Sequence, residues 1–252
     1  MRPRWVVASA VGLAQMLAFG TSLYLLTVLA QPIHADTGWS LEWVVGGMSI
    51  GSLAGAGAAP RVGRWIKRRG GRPALSLSSL LFAAGLGLLA VAPILPVYLA
   101  GWVVMGFAMA CGLYDTAFGA LGRLYGLEAR KAITTVTLWG GFASTTFWPL
   151  SGLLEAELGW RGACAVFALM HLLIALPIYR LVLPPAEPHH DDGGVVAGEG
   201  GVRLSATARR AALMLGLVLM TETLAASIVS VHLITLLRER GLTLAAAIAL
   251  GA

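Results

Sequence analysis

The 252-residue chain contains no Asn, so it offers no N-glycosylation acceptor, and its only cysteines are Cys111 and Cys164. Both sit in apolar stretches, which excludes a disulfide framework of the kind that staples small secreted domains. Charge is scarce too: Asp, Glu, Lys and Arg make up 12% of the residues, against roughly 25% in a soluble domain. Lysine is nearly absent, with 16 of the 18 cations being Arg. No G-x-S-x-G elbow, no G-x-x-x-x-G-K phosphate loop and no paired Cys ligands occur, so no enzyme, cofactor or ATP-driven reading has a motif to stand on. What the chain has instead is apolar mass: 58% of residues are hydrophobic and the mean hydropathy is +0.80. Such a chain belongs in lipid, and its 8 Trp suit two membrane–water interfaces.

A bilayer core about 30 Å thick needs roughly 20 apolar residues per crossing helix. The uncharged runs predict spans at about 5–30, 41–60, 74–92, 97–122, 132–154, 163–182 and 211–236, with an eighth starting at Leu242. Arg2 and Arg4 before the first run could mimic a signal peptide. That run exceeds the 7–15 residues of a typical h-region, which makes it an uncleaved span. Pro93 and Pro96 divide spans 3 and 4. Between spans 6 and 7 lie residues 183–210, with three Pro, five Gly and four of the 12 acidic residues. This composition predicts a solvated linker. The expected organisation is a six-helix bundle over 1–182, a linker over 183–210, and the start of a second bundle over 211–252.

Counting Lys and Arg by alternate sides gives 15 on the N-terminal side and 3 (Arg161, Arg238, Arg240) on the other. The positive-inside rule then puts the N-terminus and the linker in the cytoplasm of a multi-pass inner-membrane protein. The net charge of +6 is topological. It is spread over short loops rather than gathered on one face, so nucleic acid is excluded as a partner.

The densest signal lies between spans 2 and 3. Gly63, Arg68, Gly70 and Arg72 fit G-x-x-x-[D]-R-x-G-x-R, with Lys67 in the acidic position and Arg64 beside Gly63. Glycines allow a tight helix reversal. Cations hold such a loop at an anionic leaflet, each contributing about 1 kcal/mol. The motif resembles the cytoplasmic signature of the major facilitator superfamily. Gly112 to Gly126, Trp139 to Ser144 and Phe147-Trp148-Pro149 are similar to bacterial, loosely monocarboxylate-porter-like members, and Leu158 to Gly162 fits an outer-loop turn. Six spans, a long linker and further spans follow that family's layout.

The resemblance implies an all-α polytopic bundle and secondary transport of a small molecule by alternating access. It implies a small organic anion as substrate, with protons as a candidate coupling ion. The alternatives are a drug or metabolite efflux pump of the same fold, a non-transporting truncated remnant, and a membrane sensor. The family's usual latch acid is replaced by Lys67. Trp102 stands four residues before Gly106, where many proton-coupled members carry Arg. The run stops inside span 8, so the expectation is that a C-terminal half or a second chain completes the cavity.

Candidate site residues follow. Gly47, Gly51 and Gly55 recur every fourth residue and let another helix approach closely, either as static packing or as a sliding contact. A carboxylate inside a span costs roughly 2.5–3.5 kcal/mol on insertion scales, which singles out Asp115 and Glu222. Asp115 lies about 10 Å from the end of its span at ~1.5 Å per residue. It could pair with Arg123, or serve substrate or protons. Glu222 is near the middle of span 7, satisfied by a neighbouring helix or titrating during transport. The resemblance places spans 1, 4 and 7 around the cavity, which adds Gln15, Thr21, Ser22 and Tyr24 as its polar lining. Trp148 could supply an aromatic wall, and Pro149 a kink. His171 reads as a packing histidine. His189-His190-Asp191-Asp192 looks like ligand chemistry but lies in the Gly-rich linker, so no metal site is assigned.

Overall fold

A computed structural model describes residues 3–184, apart from the Lys67 side chain, and nine separate residues between 210 and 241. Glu222 and the His189–Asp192 run lie outside the described residues. The helices are α1 (Arg4–Gly20), α2 (Leu25–Thr37), α3 (Leu41–Arg69), α4 (Gly71–Val91), α5 (Leu95–Gly112), α6 (Tyr114–Tyr125), α7 (Ala129–Gly141), α8 (Ala143–Met170) and α9 (Leu176–Leu181). A 3-10 turn, Gly126–Glu128, precedes α7, and a π-helical turn, His171–Ala175, joins α8 to α9. Among the described residues there is no strand. Three helical stretches, Arg4–Thr37, Gly71–Val91 and Leu95–Leu181, are long and apolar enough to cross a membrane.

These helices run back and forth along the bundle six times, each run being called a pass here. The first is α1 with α2, the second α3, the third α4, and the fourth α5 with α6. The fifth is α7 with α8 as far as Leu158, and the sixth runs from Trp160 to Leu181. The divide inside α8 is Gly159, whose φ of +68° and ψ of 171° break the helix. Gly70 makes the reversal between α3 and α4 with nearly the same angles, φ +82° and ψ 170°. A Cβ is poorly tolerated in that region of backbone space. One glycine therefore replaces a loop at each of these two connections.

Several expected boundaries shift. The second pass continues to Arg69 rather than ending near 60, so Gly63, Arg64, Lys67 and Arg68 are helical and only Gly70 turns. The first pass is interrupted between Gly20 and Leu25. The Ser22 hydroxyl donates to the Ala18 carbonyl that the break frees (2.6 Å), while the Leu17 carbonyl keeps the Thr21 N–H (3.0 Å) and also accepts the Thr21 hydroxyl (2.8 Å). The Ser22 N–H goes to Phe19 instead. The fourth pass breaks at Leu113, which is extended (φ −83°, ψ −169°). The fifth is interrupted at Phe142, seven residues before Pro149, and is helical through Pro149 itself.

Packing follows the small residues. Gly51 lies against the Trp102 carbonyl and Gly55 against that of Gly106, while Gly47 sits on the Trp102 indole. Residue numbers rise together along this contact, so α3 and α5 run parallel. Gly85 approaches Gly101 and Met105, and Gly112 approaches Ser78, which makes α4 and α5 antiparallel. Gly12 meets Trp139 and Gly20 meets Phe147, setting the first and fifth passes parallel. Large apolar side chains such as Leu53, Leu138, Phe142, Leu153 and Leu173 are exposed. That inverts the pattern of a water-soluble bundle and suits contact with acyl chains.

Candidate functional site: a cleft between the first, second and fourth passes

The break at Leu113 rewires local hydrogen bonds. In a continuous helix the Thr116 N–H would bond to the Gly112 carbonyl. Here it bonds to Leu113 (3.1 Å). The freed Gly112 carbonyl accepts from Gln15 Nε2 at 2.6 Å, and Gln15 Nε2 also lies 3.2 Å from the Tyr179 hydroxyl. Gln15 is thus fully buried, holding the first, fourth and sixth passes together. An unsatisfied carbonyl in an apolar interior costs roughly 1–3 kcal/mol, which is what this amide removes.

The same break turns Asp115 outward, in the first turn of α6. It faces a cleft of ≈ 280 Å³ walled by α3 on one side and α5 on the other, with Leu23 from the break in the first pass. The wall is built of small side chains, among them Ser52, Ala56 and Ala59, with Met109 as its bulkiest flexible member. Asp115 is the one charged residue on this lining, and it makes no ion pair among the described residues. Arg123, two turns on, donates to the Ile66 carbonyl at 2.8 Å. The same carbonyl accepts the Gly70 N–H at 2.8 Å, so this cation caps the end of α3.

The other candidates fall around this cleft. Tyr24 is half-buried and meets Trp148 edge-on, ring centroids 6.2 Å apart. Trp148 is buried behind it, its indole N–H without a partner, rather than on the wall. Gly47, Gly51 and Gly55 face α5 within the same bundle, so Gly55 forms part of the cleft floor. In the glycine-basic motif, Arg72 donates to the Arg180 carbonyl (2.5 Å), tying the start of α4 to α9. Arg64 and Arg68 are exposed on α3.

Aromatic side chains next to the cleft carried no sequence signal. Phe19 packs on Tyr114 at 4.5 Å, and Tyr114 stacks on Phe118 at 4.8 Å. The Tyr114 and Phe118 spacing of four residues was the one available hint. At the end of the bundle remote from Arg4, Asp36 accepts from the Trp160 indole (2.9 Å) and pairs with Arg161. Arg161 also donates to the Ala92 carbonyl at 3.3 Å. At the Arg4 end, Arg4 pairs with Glu128 and lies over the Tyr125 ring. Among the described residues no group of His, Cys, Asp and Glu is arranged to hold a metal.

A family model for the Major Facilitator Superfamily matches residues 11–252. No curated protein matches the chain. The chain belongs to the major facilitator superfamily and is a membrane transporter of that family.

Proposed function

We propose that this transporter works by secondary active, alternating-access transport, with the Asp115 cleft as part of its substrate pathway. The observation that carries the reading is the exposed carboxylate on a wall otherwise uncharged among the described residues, mostly small and apolar, between the first, second and fourth passes. An unpaired ionisable group at membrane depth marks a substrate or ion path. The block over 1–182 forms one side of the path and the segment from 211 onward begins the other, joined by the linker at 183–210. The Lys and Arg asymmetry orients the N-terminus to the cytoplasm of the inner membrane.

The lining bears on the substrate. A small organic anion calls for a cation, and this wall holds none. A carboxylate among small and apolar side chains suits an amphipathic molecule with a basic nitrogen or an onium group, which favours efflux over organic-anion uptake. Protons are the coupling ion in this reading, carried by Asp115 and Glu222.

The test is transport in proteoliposomes with an imposed proton gradient, using tetraphenylphosphonium and lactate as probes. Gradient-driven tetraphenylphosphonium movement, lost in Asp115→Asn, supports the reading. Movement that is unchanged in Asp115→Asn removes the cleft from the pathway. Lactate movement that depends on Asp115 restores the anion and overturns the substrate class.

A further inference from the structure

The first and sixth passes run antiparallel and are joined by polar rungs. Gln15 meets Tyr179, Thr21 meets His171, and Asp36 meets Trp160 and Arg161. The middle rung is the informative one. Thr21 has a single hydroxyl proton, and it is used on the Leu17 carbonyl. The 2.8 Å contact between Thr21 Oγ1 and His171 Nε2 therefore has the imidazole as donor. His171 is then the Nε2–H tautomer, and its Nδ1 is buried without a partner. The ring is held flat against Phe82, centroids 4.6 Å apart and planes 19° from parallel.

The backbone around the rung is unusual on both sides. Thr21 opens the break in the first pass, and His171 opens the π-helical turn in the sixth. Six residues separate Gln15 from Thr21, and eight separate His171 from Tyr179. Regular helices would set those rungs about 9 Å apart on one side and 12 Å on the other at ~1.5 Å per residue. A π-turn takes an extra residue into a wider turn and is common at functional positions. Here the π-turn takes up part of that difference, while Gln15 to Thr21 stays on the regular turns of α1 that end at the break. The break in turn sets Leu23, two residues on, against the cleft.

We infer that His171 is a positioning residue: by donating Nε2–H to Thr21 it fixes the break in the first pass, and so fixes Leu23 on the cleft wall. The inference rests on the cleft being the pathway only for its functional meaning. The geometry can be tested without any substrate.

The experiment is alkylation of Leu23→Cys by N-ethylmaleimide in membranes containing the full chain. Cys111 and Cys164 are buried, so they stay unlabelled and report on intact folding. Removing the bond with His171→Leu, or independently with Thr21→Val, changes the labelling rate by about fivefold or more, the size expected from one buried hydrogen bond. His171→Gln and Thr21→Ser, which keep the donor and the acceptor, restore it to within about twofold of the parent. Equal rates in all variants overturn the inference. So does an equal change in all four, because the hydrogen bond would then not be the cause. If His171→Leu exposes Cys111 or Cys164, Thr21→Val carries the decision. A failed Asp115→Asn transport test with the labelling result intact rejects the pathway and leaves the positioning role standing.

Discussion

Gly106 and Gly51 bring two helix backbones into direct contact: a Cβ on Gly106 would lie 1.8 Å from the Gly51 carbonyl oxygen. No side chain can move aside there, because the obstacle is main chain. Gly106→Ala must push α5 off α3, and overpacking of this kind costs about 1–3 kcal/mol. Gly57, on the same helix as Gly51, has nothing among the described residues within 4 Å of its would-be Cβ. Gly57→Ala should be neutral or slightly stabilising through helix propensity. Thermal unfolding of the two purified variants in detergent, side by side, checks the contrast.

Gly70 and Gly159 share a backbone conformation that only glycine adopts readily. No described residue lies within 4 Å of a Cβ built on Gly159, so the expected cost of Gly159→Ala is backbone strain. Each alanine variant should lose about 1–3 kcal/mol. If Gly159→Ala melts with the parent, the reversal does not require the left-handed φ.

The Asp36–Arg161 pair is solvent-exposed on both sides, with side chains 51% and 42% accessible. Screening makes such pairs weak. Asp36→Asn should move the melting temperature less than Gly106→Ala does. A larger shift would mean that the charge of Asp36 is the fastening, because the asparagine oxygen can still accept the Trp160 indole N–H.

Cys111 and Cys164 are free and buried in different passes. The folded protein should resist maleimide in membranes and react only after denaturation. Labelling of the native protein would show that the bundle opens at α5 or at the sixth pass.

Glu222 supplies a transport prediction. If it carries a proton during the cycle, Glu222→Gln should flatten the pH dependence of uptake across the neutral range. Neutral glutamine cannot titrate, so a pH profile matching the parent removes Glu222 from the coupling.

The helices were legible in the sequence because long uncharged runs leave lipid-spanning helix as the economical reading. The breaks were not. Pro93 and Pro96 announced one boundary, but the interruptions at 21–24, Leu113 and Phe142 contain no proline. They are stabilised by partners far away in sequence or by hydroxyls that look ordinary in an apolar run. Gln15 capping the Gly112 carbonyl across 97 positions is such a case. Asp115 stood out because any charge in an apolar run does. Its neighbours Phe19, Tyr114 and Phe118 did not, because aromatics in such runs serve packing just as often. The glycine-basic motif was visible as a pattern, yet its residues sit mostly on helix α3, since the turn needs only Gly70.

A connection of a single residue stores no slack. Gly70 and Gly159 lie at opposite ends of the bundle and join their flanking helices with no intervening loop. The start of the third pass is thereby set by where the second ends, and that of the sixth by where the fifth ends, so an insertion at either glycine would displace the register of everything downstream of it in that pair.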